Sequence, residues 1–324
     1  MNILLSCIGK RGYIADYFRQ AIGGSGKVIG TSNTEWTPGF SSCDEAIILP
    51  PIASDEYIPA LLETCQKYDV RGLLSFFDPD VFVLSAQHER FRLLGVTLVL
   101  PGREAVTICY DKLKTYTFCR ENGLRTPETT ERLDVAHEWL SSGRLAFPLI
   151  IKPRYGYGSA NTFLAKNRLQ LEAFFGYAEQ MIVQQYLEAE AMNVDGLGDL
   201  QARPIAVIPW KKLLSRHGET ERTVTIENPA ILEHGILLIE RLGIVGPYDA
   251  DLFQDADGTI WTLEVNLRFG GGYPVSHMAG GEFPAIILRM LAGERISDRI
   301  GQYQRGVSMM KRLQIIPGPR YGGA

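Results

Sequence analysis

Asp249-Ala-Asp251-Leu-Phe-Gln-Asp-Ala-Asp257-Gly258-Thr-Ile-Trp-Thr-Leu-Glu264-Val-Asn266-Leu-Arg268 is the stretch that decides how this chain is read. Asp257-Gly258 is the preferred dipeptide of a two-residue type I′ hairpin turn. With that pair as the loop, Asp251 opposes Glu264 and Asp249 opposes Asn266, with Cβ atoms about 4.5–5.5 Å apart. The two-residue period of a strand then puts Asp249, Asp251, Glu264, Asn266 and Arg268 on one face. Leu252, Leu263, Val265 and Leu267 fall on the other, fit for a core. Opposed carboxylates repel unless a cation sits between them. With Asn266 beside them they form an all-oxygen donor set that suits Mg²⁺, an ion that usually accompanies nucleotide phosphates. Arg268 adds a fixed cation for an anionic substrate or a transferring phosphoryl group. The plain alternative is a solvated hairpin face with unrelated charges.

Upstream, Phe147-Pro-Leu-Ile-Ile-Lys152-Pro153 reads as an apolar strand ending in a lysine, followed by the small-residue loop Arg154-Tyr-Gly156-Tyr-Gly158-Ser159-Ala160. A lysine leaving a buried strand there can reach a phosphate while the loop's backbone N–H groups cover its other oxygens. Asp111-Lys112 at the start of a helix offers a second lysine. Val183-Gln184-Gln185-Tyr186-Leu187 reads as an extended segment whose main chain could meet an adenine edge. Each of these, alone, is also an ordinary strand or surface residue.

Around them the chain changes grammar. Strand–helix alternation from Ile3 to about residue 103 predicts a parallel sheet covered on both faces. Its helices include one over 80–91 and one capped by Ser54, with Ile58, Leu61, Leu62 and Cys65 on its apolar face. Beyond it come a helix from Asp111 to Asn122 stopped by Gly123, mainly antiparallel strands over 148–266, and helices over 229–242 and 284–291. Gly23-Gly24-Ser25-Gly26-Lys27 resembles a P-loop only superficially, because Ala21 and Val28 stand where glycine and a hydroxyl residue are needed. Gly156-x-Gly158 lacks a third glycine at Asn161 and is no dinucleotide fingerprint.

Composition narrows the classes. Lys and Arg number 33 against 37 Asp and Glu, for a net charge of −4, which argues against a nucleic-acid binder that neutralises phosphates wholesale. Five cysteines, at 7, 43, 65, 109 and 119, form no CxxC and fit buried thiols in a reducing cytoplasm. No apolar run approaches the roughly 18–20 residues of a membrane span. No histidine pair has zinc-ligand spacing, and no Ser–His or Cys–His pattern suggests a side-chain nucleophile.

Together the motifs resemble the ATP-grasp superfamily, in the style of carbamoyl-phosphate synthetase large subunits, biotin carboxylase and D-alanine–D-alanine ligase. The matching residues are Asp111-Lys112 with Gly123-Leu-Arg-Thr-Pro127, Phe147–Lys152 with its glycine loop, Val183–Leu187 with Glu188 and Glu190, Asp251, Glu264-x-Asn266-x-Arg268 and Gly270-Gly-Gly272. The resemblance implies an α/β plus α+β architecture, with a Rossmann-like pre-ATP-grasp domain (1–103) followed by a small lobe (104–186) and a C-terminal lobe (187–324). It implies phosphate contacts from Lys112, Lys152 and the loop with Gly156, Gly158 and Ser159, which would form a lid. It makes Gln184, Gln185, Tyr186 and Leu187 the adenine hinge, with Glu190 or Glu188 at the ribose. Asp251, Glu264 and Asn266 would hold Mg²⁺, or Mn²⁺ in its place, and Arg268 and Lys212 would face the reacting groups. The implied chemistry is formation of an amide or peptide-like bond from a small carboxylate and an amine through an acylphosphate, releasing ADP and phosphate. A carboxyphosphate- or carbamoyl-phosphate-type component and a nucleotide-binding subunit without turnover are the alternatives. No nucleic-acid or membrane partner is expected, and a homodimer is left open. Acceptor pockets in this superfamily draw on loops such as Gly9-Lys10-Arg11, Asp78-Pro79-Asp80 and Gly270–His277. From the residues alone, Asp78 and Asp80 read as a helix N-cap pair.

Overall fold

The apolar run after Met1 becomes a strand buried on both faces, with Ile3, Leu4 and Leu5 fully enclosed in a computed structural model that describes residues 1–156, 158, 160–216 and 219–319. This strand, β1 (Asn2–Ser6), joins β2 (Val28–Ser32), β3 (Glu45–Ile48), β4 (Val70–Ser75) and β5 (Thr97–Leu98) in a parallel sheet ordered β3-β2-β1-β4-β5. Its helices are α1 (Gly12–Ile22), α2 (Tyr57–Lys67), α3 (Asp78–Leu84) and α4 (His88–Leu93). The helix expected over 80–91 is thus two. The Ser85 hydroxyl takes the Phe82 carbonyl at 2.7 Å, a local side-chain bond that competes with continuing the helix. Nor does Ser54 cap α2. It accepts from the Glu56 N–H at 3.2 Å in a preceding turn, and α2 starts at Tyr57.

α5 (Arg103–Tyr110) and α6 (Lys112–Glu121) follow, separated by Asp111, whose carboxylate accepts from the N–H groups of Leu113 and Lys114 and so starts α6. Next come β6 (Thr129–Thr130), α7 (Leu133–Ser141), β7 (Leu149–Pro153), β8 (Phe163–Ala165), α8 (Arg168–Phe175) and β9 (Met181–Gln185). Their strands make a small antiparallel sheet, β6-β9-β7-β8, over a core that includes Ala136, Leu149, Ile151, Leu171 and Val183.

The larger sheet is built from β10 (Glu190–Gly198), β11 (Pro204–Arg216), β12 (Glu219–Thr225), β13 (Gly246–Gln254), β14 (Ile260–Asn266) and β15 (Ser308–Met310), ordered β14-β13-β10-β11-β12-β15. α9 (Pro229–Leu242), capped by Asn228 and ended by Gly243 in a left-handed conformation, buries Ile231, Leu238 and Ile239 against this sheet. α10 (Tyr273–Met278) and α11 (Phe283–Leu291) close the chain's helices, and α11 shares a core with Ile14 and Phe18 of α1. The parallel sheet is thereby anchored beside the β13–β14 hairpin. Among the described residues no helix is long and apolar enough to cross a membrane. Cys65, Cys109 and Cys119 are buried and all five cysteines are free thiols.

The hairpin corrects one expectation and keeps another. Its loop is five residues, not two: Asp255 N–H bonds the Thr259 carbonyl at 3.1 Å, and strand pairing begins at Gln254–Ile260. The Asp255 carboxylate shapes it, accepting from the N–H groups of Asp257 and Thr259 and from Trp261 Nε1, an Asx-type turn that outcompetes the Asp-Gly signal. A bulge then follows, because Leu252 pairs with Thr262 while Asp251 pairs with Glu264. Leu263 is the extra residue. It lines a cleft instead of the core, and Thr262 takes the core face, fully buried with its hydroxyl 2.7 Å from His234 Nε2.

Candidate active site

A cleft of about 880 Å³ runs between the two antiparallel sheets and on to the carboxyl ends of β1 and β4. Its floor is the β13–β14 hairpin. Asp251 opposes Glu264 and Asp249 opposes Asn266 across this ladder, so the acidic face expected from the sequence exists. β10 runs along the other side of β13 and sets Asn193 against Asp251 and Asp195 against Asp249.

Charges on this face interlock. Lys212 of β11 bonds Asp251 Oδ1 at 2.5 Å, and Asn193 Nδ2 donates to Asp251 at 2.9 Å and to Asp249 at 3.3 Å. Burial raises Asp251, but the Lys212 ammonium, the Asn193 amide and the Arg268 charge together outweigh it and hold the carboxyl below its usual range. Asp249 lies deeper; burial and then the Asp251 charge push it up to about 6. Asp195, deeper again, is raised well above its usual value by burial and by Asp249, and it accepts from the Ser276 hydroxyl at 2.5 Å.

The opposite wall carries the lysines. Lys152 is the next-to-last residue of β7, is only 7% exposed and lines the cleft. Burial lowers its pKa to about 8, with Glu264 and Asp251 pulling upward and Lys112 downward. Lys112, at the first turn of α6, donates to the Gly156 carbonyl at 2.7 Å and stands 3.7 Å from Glu264 Oε1. Asp111 grips the same loop. Arg154 donates to both Asp111 oxygens at 2.8 and 2.6 Å, and the Tyr155 hydroxyl adds a third bond at 3.1 Å. Gly156 and Gly158 lie on the cleft wall, whereas Ser159 is outside the described residues.

The remaining candidates fall as follows. Gln184 and Gln185 end β9 at the cleft, and their side chains brace β6: Gln184 donates to the Thr129 hydroxyl at 3.0 Å, and Gln185 accepts from the Glu128 N–H at 3.2 Å. Tyr186 and Leu187 continue along the wall past the end of the strand. Glu190 pairs with Lys211. Arg268 points at the parallel-sheet unit, with Nε and Nη2 on Asp78 Oδ2 at 3.1 and 2.9 Å and Nη2 also on Asn266 Oδ1 at 3.1 Å. Asp78 is therefore an ion-pair partner and Asp80 a buried acceptor for the Tyr57 hydroxyl at 2.6 Å. Neither caps α3, whose N-cap residue is Phe77.

Two features escaped the motif reading: Asn193 and Asp195 under the carboxylates, and the Asp111–Arg154 clasp. The first had a signal, since Asn193-x-Asp195 repeats the two-residue period of the hairpin face. The clasp spans 43 residues and had none. Gly270 and Gly272 gain a reason here. A Cβ at Gly270 would lie 2.5 Å from Asp249 Cγ, and one at Gly272 would lie 2.3 Å from the Trp210 ring.

The donor set fits a hard divalent cation bound together with phosphates. Among the described residues no three carboxylate, histidine or cysteine side chains converge on one point. Asp251, Glu264 and Asn266 do line the cleft, with Asp249 and Asn193 beside them, and two carboxylates with an amide oxygen are the sparse protein contribution usual for Mg²⁺ on a nucleotide. A buried Asn193 Oδ1 also has no hydrogen-bond partner.

Residues 3–99 match the model of a PylC-like N-terminal domain, and residues 109–272 match that of the ATP-grasp domain. The chain is 26% identical over 223 residues to a D-alanine–D-alanine ligase of Pseudomonas fluorescens, covering 63% of this chain and 69% of that one. It is 24% identical over 221 residues to the carbamoyl phosphate synthase large chain of Gemmatimonas aurantiaca, covering 63% of this chain but only 20% of that protein's length. The fold matches the biotin carboxylase domain of Hydrogenobacter thermophilus 2-oxoglutarate carboxylase, solved with MgADP and bicarbonate, at a TM-score of 0.73 and 16% identity over 95% of this chain and 73% of that one. With half of its length matched by the ATP-grasp model, the chain belongs to the ATP-grasp family of ligases, enzymes whose usual cofactors are ATP and Mg²⁺.

Proposed function

We propose that this protein is a carboxylate–amine ligase that activates a small carboxylic acid as an acylphosphate and joins it to an amine. One observation carries the reading: the Asp251–Glu264 pair faces Lys112 and Lys152 across a single cleft. In this reading Asp251, Glu264 and Asn266 hold Mg²⁺ against the nucleotide phosphates, and the metal supplies neutralisation of their charge. Lys112 and Lys152 grip the phosphates, and the backbone around Gly156 and Gly158 covers them. The segment from Gln184 to Leu187 receives the adenine.

The acid's carboxylate oxygen attacks the terminal phosphorus and ADP leaves. The amine nitrogen then attacks the acyl carbon, phosphate leaves, and the nitrogen loses its proton. Fixed charges around the transferring group lower the barrier without reorganising, and a closed cleft keeps water from the acylphosphate.

An ADP-release screen over carboxylic acids crossed with amines, with mass detection of products, tests the reading. ADP release that requires both an acid and an amine, with a product equal to their condensation, is the expected result. ADP release on bicarbonate alone would replace it with carboxyphosphate chemistry. Nucleotide binding without turnover across the panel would make the protein a non-catalytic subunit.

A further inference from the structure

Each of the three side chains assigned to the metal already meets a cation of this chain. Asp251 Oδ1 accepts from Lys212 Nζ at 2.5 Å. Glu264 Oε1 stands 3.7 Å from Lys112 Nζ. Asn266 Oδ1 accepts from Arg268 Nη2 at 3.1 Å. The cations come from β11, from the first turn of α6 and from the residues just after β14, and each ends on a different donor.

Two bulges flank these contacts. Lys212 pairs with Thr223 and Leu214 with Arg222, so Leu213 is an extra residue in β11 just past Lys212. Leu263 is its counterpart in β14, just before Glu264. A bulge bends its strand and re-aims the side chain beside it. Lys112 is held from the glycine loop instead, where its ammonium also donates to the Gly156 carbonyl at 2.7 Å.

Electrostatics decides what such a face accepts. An ammonium against a carboxylate cancels much of the charge that would draw a divalent ion, and an ion arriving alone meets like charge at short range. Mg²⁺ also gives up its water reluctantly, so donors that are already engaged offer it little in exchange. Nucleotide phosphates change this balance. They give the lysines a multiply charged anion to turn to, and the carboxylates are released to the metal that the phosphates bring.

We propose that Lys112, Lys212 and Arg268 are internal counter-cations of the metal face, which keep divalent metal off Asp251, Glu264 and Asn266 until nucleotide phosphates draw the lysines away. The proposal rests on the metal assignment above and adds the order of events: the divalent ion binds with the nucleotide and not before it. Arg268 stays anchored on Asp78 at 2.9 Å, so the two lysines are the members that move.

Mn²⁺ titrations followed by electron paramagnetic resonance test it, with ADP alone as the reference for metal held by free nucleotide. Without nucleotide, the wild type should bind Mn²⁺ at least about tenfold more weakly than Lys112→Met or Lys212→Met, and ADP should tighten Mn²⁺ on the wild type by a similar factor or more. Lys212→Arg, which keeps a cation, should stay weak. Lys211→Met is the control, because Lys211 pairs with Glu190 and lies outside the cleft lining; its Mn²⁺ affinity should match the wild type. Nucleotide-free wild type that binds Mn²⁺ as tightly as its ADP complex overturns the proposal. So does unchanged affinity in a Lys112→Met or Lys212→Met variant shown by circular dichroism to be folded, or an equal rise in Lys211→Met. Glu264→Gln separates the proposal from the metal assignment. Mn²⁺ binding in the presence of ADP that Glu264→Gln leaves unaltered would sink the assignment itself. Loss of that binding, together with tight nucleotide-free binding by the wild type, would sink the counter-cation role alone.

Discussion

Replacing Lys152 by methionine keeps the aliphatic stem and removes the charge, and the structure gives opposite signs to its two effects. Lys152 is almost enclosed, and its pKa falls from 10.5 to about 8 because burial penalises the ammonium. That difference corresponds to roughly 3 kcal/mol by which the empty protein at neutral pH disfavours the charged form. Relief of this penalty should leave the nucleotide-free Lys152→Met variant as stable as the wild type or more so, read as an equal or higher melting temperature. Nucleotide should behave the other way. A phosphate held by Lys152 makes a charge-assisted contact in a site shielded from water, and loss of one such electrostatic donor typically costs about 10²–10³ in rate, or roughly 3–4 kcal/mol. The expected result is a drop of at least about a hundredfold in kcat/KM for ATP, with parallel weakening of MgADP in calorimetry. A lysine kept for packing would show the reverse, lower stability with unaltered nucleotide affinity. That outcome would refute the placement of the phosphates on β7.

Other expectations follow from the same face and its supports. Since Lys152 must be protonated to hold a phosphate, kcat/KM for ATP should fall as pH rises through about 8, and Lys152→Arg, which stays charged, should remove that alkaline limb. Glu264→Gln should abolish ADP release and leave the stability of the empty protein little changed, because relief of the repulsion across the Asp251–Glu264 pair is set against loss of the Lys112 contact; turnover at the wild-type rate would sink the metal assignment. Gly270→Ala drives a Cβ against Asp249, and overpacking of this kind should cost about 1–3 kcal/mol of stability in denaturant unfolding along with most of the activity. Burial depresses His234 from 6.5 to about 4. The unfolded chain therefore takes up a proton that the folded chain refuses, and stability falls as pH drops from 6.5 towards 4. His234→Gln should flatten that limb by up to roughly 3 kcal/mol in the wild-type-minus-variant difference.

The sequence carried the hairpin's acidic face through two errors that cancel. A two-residue Asp-Gly turn gives the right partners for Asp251 and Asp249, yet the real loop is five residues long and the bulge at Leu263 restores the pairing. Loop length and bulge depend on the Asp255 side chain and on the core's preference for Thr262 beside His234, neither of which a two-residue period registers. Lys112, Lys152 and the glycine loop were legible because a strand's end and a helix's start are local events. Asp78 and Asp80 read as a helix N-cap pair and Arg11 as part of an acceptor-pocket loop, and their true partners Arg268, Tyr57 and Phe269 were out of reach because they come from far along the chain. The alternation in Asn193-x-Asp195 was available and went unused.

The Leu263 bulge also separates the hairpin into two phases. Asp251–Glu264 and Asp249–Asn266 pair on the inner side of it and Leu252–Thr262 to Gln254–Ile260 on the outer side, while β10 holds β13 along its whole length from Gly246 to Gln254. A change in loop length is absorbed on the outer side and is not transmitted as a register slip that would turn the carboxylates to the wrong face. The tip at Ala256 and Asp257, exposed and outside the cleft lining, is thus a permissive point in an otherwise unforgiving element. A short peptide epitope or a fluorophore attached there would travel with the β13–β14 hairpin while leaving Asp251 and Glu264 where they stand.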